Sequence, residues 1–78
     1  MLVDVRGETC PYPQQKAMEA MERLPDGEEL IVLVDHSPAI EMIRMVANRM
    51  DFAMDVEPTG SGEWRIRLRR RALGEVRV

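Results

Sequence analysis

The chain of 78 residues predicts a two-layer α/β sandwich, with elements in the order β-α-β-α-β-β. Three observations predict it. Two stretches carry apolar residues at helical spacing, four are rich in β-favouring or alternating residues, and breaker clusters separate them. So short a chain cannot build three layers, so both helices must cover the same face of a mixed four-stranded sheet. The other sheet face is left open.

Leu2 to Val5 is the first strand, and Arg6-Gly7-Glu8-Thr9 is a turn leading into Cys10-Pro11-Tyr12-Pro13. Pro13, Ala17, Ala20, Met21 and Leu24 then fall on one helical stripe, opposite Gln15, Lys16, Glu19, Glu22 and Arg23. Leu24-Pro25-Asp26-Gly27 stops that helix. Leu30-Ile31-Val32-Leu33-Val34 is an unbroken run of β-favouring residues and predicts an inner strand parallel to the first. Asp35-His36-Ser37-Pro38 is a turn, with Ser37 as N-cap and Pro38 at the first helical position. Ile40, Ile43, Val46, Ala47 and Met50 form the inner stripe of a second helix.

Met54 and Val56 alternate with Asp55 and Glu57 in a third strand, and Thr59-Gly60-Ser61-Gly62 is a hairpin loop. Trp64, Ile66 and Leu68 alternate with Arg65, Arg67 and Arg69 in the fourth strand, with Trp64 as a core anchor. Keeping each face consistent requires Glu57 opposite Arg65 and Asp55 opposite Arg67. No linker, repeat or low-complexity segment divides the chain, so residues 1–78 read as one domain. Residues 71–78 form either a flexible tail or a short edge strand.

Composition narrows the function classes. Apolar residues are 45% and charged residues 32%, as in a folded globular domain. The net charge of -3 argues against direct nucleic-acid binding, which needs a basic surface. No apolar run reaches membrane-spanning length, and Met1-Leu2-Val3-Asp4 does not read as a signal peptide. One cysteine cannot form an internal disulfide, which predicts a reducing, cytoplasmic setting. Cys10 and the single His36 cannot build a zinc site by themselves, and His36 reads as an exposed turn residue.

Cys10 is therefore the candidate reactive group. An unpaired cysteine is either an apolar filler or a reactive thiol. Here it stands in a turn, where packing gives it little to do. Residues that precede proline are biased away from the α region, so Cys10 and Tyr12 are expected to be extended. The helix would nucleate at Pro13 or at Pro11, and either start puts the sulfur close to a helix N-terminus. Free N–H groups and the helix dipole there favour a thiolate. Pro11 and Pro13 fix the backbone and remove two donors, leaving Tyr12 and Gln14 as the N–H groups best placed to face the sulfur. Arg6 and Lys16 would add positive charge, and Glu8 would oppose it.

Asp4-x-Arg6-Gly7-x-x-Cys10-Pro11-x-Pro13, followed by a helix and a Pro/Asp-Gly stop, resembles the TusA (SirA/YedF-like) sulfur-carrier family. The resemblance covers roughly residues 2–70, and Gly27 fits the family's turn before the second strand. His36-Ser37 departs from the family's Asp-Asp-Pro turn. Asp51 stands in the region after the second helix where the family tends to have glycine, and Asp tolerates the left-handed conformation. The resemblance implies that Cys10 takes sulfur as a persulfide from a cysteine desulfurase or rhodanese-type donor and relays it to an acceptor protein. Destinations in the family include tRNA thiolation, cofactor assembly, sulfur oxidation and selenium handling. Such chemistry needs no metal or organic cofactor. Two competing readings are a noncatalytic adaptor or regulatory module and a monothiol redox protein. Cys-Pro-Tyr-Pro is similar to the Cys-Pro-Tyr-Cys of glutaredoxins but lacks the second cysteine.

Three further features bear on partners. Arg65, Arg67 and Arg69, continued by Arg70 and Arg71, form either a solvated strand face or a docking surface for an acidic partner. Of the seven methionines, Met45 is the one expected on a polar helix face, where it could meet a partner; the others read as core or initiator. The second strand is apolar on both faces, so its open side is covered either by flanking side chains or the tail, or by a partner or second copy. The expected state is a monomer or weak dimer.

Overall fold

The computed structural model describes residues 1–8 and 12–71. The expectations placed on Cys10, Pro11 and the tail at 72–78 lie outside the described residues. Six elements follow in the expected order: β1 (Leu2–Asp4), α1 (Tyr12–Arg23), β2 (Glu29–Val34), α2 (Ser37–Arg49), β3 (Phe52–Gly60) and β4 (Glu63–Arg70). The strands form one mixed sheet in the order β1-β2-β4-β3. β1 runs parallel to β2, and β4 is antiparallel to both β2 and β3. α1 packs on β1, β2 and α2, while α2 packs on β2 and β3, so the helices share one face.

The core lies between the helices and that face. Leu30, Val32 and Val34 from β2 meet Ile66 and Leu68 from β4, with Phe52 from β3. α1 contributes Pro13, Ala17, Ala20 and Met21, and Leu24 follows; α2 contributes Ala39, Ile43, Val46 and Ala47. The whole predicted stripe of α1 is therefore inside. In α2 the stripe is rotated slightly: Ala39 is buried, while Ile40 and Met50 are only half-buried. Trp64 lies at the core's margin rather than within it, since its row on the sheet ends against Pro58 on the edge strand β3. Pro58 is tolerated there because an edge strand has one side with no ladder to donate to.

Four expectations are corrected. Tyr12 is the first residue of α1 and not an extended lead-in. Pro13 is tolerated at the second helical position because its missing N–H falls in the first turn, where no intrahelical partner is needed. His36, half-buried and extended (φ -126, ψ 107), holds the N-cap position of α2, so Ser37 is one residue inside and makes no side-chain cap. The hairpin is tighter than its composition suggests: β3 runs through Gly60, leaving Ser61 and Gly62 as the turn. Met18 joins Met45 as an exposed methionine, at 39% against 52%.

The open face behaves as its alternation demands. Asp55 faces Arg67 and Glu57 faces Arg65 in register. Glu57 takes Arg65 Nε at 2.6 Å and Arg67 at 3.5 Å, so Arg67 leans diagonally away from Asp55. Ile31 and Leu33 are half-buried, in register with Arg67 and Arg65 across the β2–β4 ladder. Cross-strand neighbours lie within about 5.5 Å at Cβ, so the arginine stems flank that apolar strip.

Candidate functional site

The run from Asp4 to Glu8 leaves the sheet at the carboxyl end of β1, beside the carboxyl end of β2. Val5 N–H still donates to Leu33 at 2.9 Å, and then the ladder stops. Gly7 turns the chain with φ +83, a conformation open to glycine at no steric cost. In the sequence, Cys10 stands two residues after Glu8 and two before Tyr12.

Asp4, Arg6, Gly7 and Glu8 of this run are tied down by charged side chains. Asp4 accepts Arg6 N–H at 3.0 Å, Arg6 Nε at 2.9 Å and Arg6 Nη2 at 2.7 Å, which closes the turn upon itself. The Arg6 guanidinium and its backbone N–H hold the Asp4 carboxyl well down, at about 2. The same pair pushes the Arg6 guanidinium further up. Arg6 also reaches Glu63 at the start of β4, at 3.5 Å. Gly7 N–H donates to both oxygens of Asp35, at 3.0 and 2.9 Å. Glu8 N–H donates to Val5 at 3.2 Å, and its carboxylate accepts Lys16 Nζ at 2.6 Å.

On the helix side, Pro13 is fully buried and anchors the first turn of α1, while Tyr12 is 57% exposed. Pro13 carries no N–H, so Tyr12 and Gln14 supply early free donors of the helix. The Gln14 Oε1 atom is buried and accepts no hydrogen bond among the described residues.

The sequence expected Arg6 and Lys16 to lend positive charge to the thiol. Each is engaged by a carboxylate: Arg6 by Asp4 and Glu63, Lys16 by Glu8. Their net field at the turn is thereby reduced. Met45, Arg65, Arg67 and Arg69 are not at this turn. Met45 stands exposed on α2, and the three arginines form a column on the open face. Arg70 and Arg71 do not continue that column. Arg70 caps α1 and stacks over Phe52 at 5.2 Å, and Arg71 pairs with Asp51 at 3.0 Å. Sequence reasoning missed Asp35 and Glu63. Asp35 had a signal, since it follows directly on the strand that pairs with β1. Glu63 had none, because only the strand order brings the start of β4 near Arg6.

A hollow of about 730 Å³ lies at the opposite end of the sheet, between Glu29, Met50 and Arg69 to Arg71. No helix among the described residues is long and apolar enough to cross a membrane.

Residues 1–70 match the sequence profile of the family described as Sulfurtransferase TusA. A protein of Archaeoglobus fulgidus, provisionally named a sulfur carrier protein, is 32% identical over 71 residues, covering 90% of this chain and 81% of the relative. A protein of Methanocaldococcus jannaschii, named in the same way, is 36% identical over 64 residues, covering 82% of this chain and 85% of the relative. YedF of Escherichia coli, again provisionally named a sulfur carrier, is 36% identical over 59 residues, covering 74% and 77%. The crystal structure of a SirA-like protein from Desulfitobacterium hafniense superposes with a TM-score of 0.78 at 22% identity, covering 86% of this chain and 92% of the other. That likeness bears on the fold.

Proposed function

Because the chain belongs to the TusA sulfurtransferase family, we propose that residues 1–78 act as one domain that carries sulfur as a persulfide on Cys10. The observation that carries this reading is that the family match spans residues 1–70 and so includes the chain's single cysteine. The position of that cysteine supports it, between a strand end pinned by Asp4, Arg6, Gly7 and Glu8 and the N-terminus of a 12-residue helix. Free N–H groups at a helix start favour an anion, which for a thiol means the nucleophilic form.

The chemistry balances without a further reactant. Cys10 thiolate attacks the terminal sulfur of a donor persulfide, the donor's S–S bond breaks, and the donor leaves as a thiolate. Cys10 is then Cys–S–SH. A second thiolate, on the acceptor protein, attacks the outer sulfur in turn and returns Cys10 to its starting form. The site residues divide the labour. Pro11 and Pro13 stiffen the approach to the helix, Tyr12 and Gln14 supply the nearest N–H donors, and Arg6, Gly7 and Lys16 hold the turn in shape. The donor is a cysteine desulfurase or rhodanese-type enzyme and the acceptor a sulfur-relay or biosynthetic protein, in the cytoplasm.

Incubation with a cysteine desulfurase and cysteine is expected to add one sulfur, about 32 Da, to the Cys10 peptide and nothing to the Cys10→Ser protein. An adduct that survives the serine substitution would end the reading. Glutathione-dependent disulfide reduction by the purified protein would instead favour the monothiol redox alternative. Cellular function that survives Cys10→Ala would favour the adaptor.

A further inference from the structure

We propose that Asp35 is a positioning residue for the Cys10 thiol, an inference that rests on the sulfur-carrier reading above. β1 is an edge strand of only 3 residues, so it holds the following turn weakly by itself. Most of the ties on that turn are local or reach α1 and β4: Asp4 to Arg6, Arg6 to Glu63, Glu8 to Lys16. Asp35 is different in kind. It extends directly from Val34, the buried last residue of β2, and its two carboxylate oxygens share the N–H of Gly7 at 3.0 and 2.9 Å across a sequence separation of 28.

A charge-assisted bond to a backbone N–H is the stronger sort, and here it is mounted on the most buried strand of the sheet. Gly7 is where the chain turns left-handed, three residues before Cys10. Holding its amide anchors the start of the turn from which the chain continues to Cys10. Asp35 is itself exposed, so its substitution removes no core contact.

A merely structural role is available to the same side chain, because a carboxylate just before α2 also favours the helix dipole. Asp35→Ala and Asp35→Asn separate the two. Asparagine keeps the acceptor oxygen and loses the charge. In the full chain, Asp35→Ala is expected to speed exchange of the Gly7 amide and to slow sulfur loading from a desulfurase by about tenfold, as loss of orientation does. Asp35→Asn is expected to restore loading to within about threefold of wild type. Asp35→Ser, whose hydroxyl is too short to reach Gly7, replaces Asp35→Ala should the latter unfold.

Loading of Asp35→Ala at the wild-type rate overturns the proposal, and so does Asp35→Asn loading as slowly as Asp35→Ala. A wild-type protein that takes up no sulfur overturns the carrier reading instead. In that case the pH profile of Cys10 alkylation and the Gly7 amide still judge Asp35: a shifted profile and a faster amide in Asp35→Ala uphold the positioning role, and profiles identical to wild type refute it.

Discussion

Gly7 shows how one residue without a side chain can set the geometry of a site. Its φ of +83 lies where an L residue meets its own carbonyl, yet a Cβ built there would have nothing within 4 Å. The cost of Gly7→Ala is thus backbone strain alone, about 1–2 kcal/mol, read as a lower urea midpoint with an unchanged slope. Asp51 makes the same point from the other side, as the one non-glycine residue at positive φ among the described residues, at +65. The hint of it came from the family resemblance, which tends to have glycine in that region, and aspartate tolerates the left-handed conformation. Asp4 carries a pH signature. Its carboxyl is held at about 2 against an ordinary 3.8, chiefly by the hydrogen bond from Arg6. A lowered pKa in the folded protein adds stability that is complete above the ordinary value and is lost as pH falls through the lowered one. The Asp4 carboxyl carbon should accordingly titrate by NMR near 2 in the wild type and move up toward 3.8 in Arg6→Ala.

Helix α1 shows how an element is finished by residues far from it in sequence. Its last carbonyls would be orphaned at Leu24, where the breaker Pro25 follows. Arg70, at the end of β4, donates to the Leu24 carbonyl at 2.7 Å, to Met21 at 3.0 Å and to Asp26 at 2.7 Å. Arg70→Ala should destabilise the fold by about 2 kcal/mol in urea unfolding, because it strips charge-assisted bonds from partly buried carbonyls. Arg70→Lys should recover only part of that, since an ammonium cannot span the same acceptors as a planar fork. The alternation of the strand puts Arg70 on the face of Trp64, Ile66 and Leu68, opposite Arg69, but nothing local says that the end of α1 lies within its reach. The helices and strands themselves were legible, because period and breakers are local properties. The start of α1 and the cap of α2 were misread by a residue, where competing local biases are of similar size.

At the scale of the molecule, the order β1-β2-β4-β3 decides what each surface is. It inserts β4 between β2 and β3, so the arginine column sits beside Asp55 and Glu57 on one flank and beside Ile31 and Leu33 on the other, with Arg69 facing Glu29. A column so hemmed by carboxylates is a poor beacon for an acidic partner. The double substitution Arg67→Glu with Arg69→Glu should leave desulfurase affinity within about threefold, and a loss beyond about tenfold would make this face the donor's dock. The fold class was readable from the order of elements, and the candidate thiol from a lone cysteine followed by Pro11 and Pro13. The shell around the turn was not, because Asp35 and Glu63 approach it only once the sheet is assembled.

Full-length protein loaded by a desulfurase, freed of donor and mixed with an acceptor thiol, should be followed by intact mass. A gain of about 32 Da confined to Cys10, lost again as the acceptor gains it, is the predicted result. No gain on the folded protein, or a gain that the acceptor cannot remove, would contradict it.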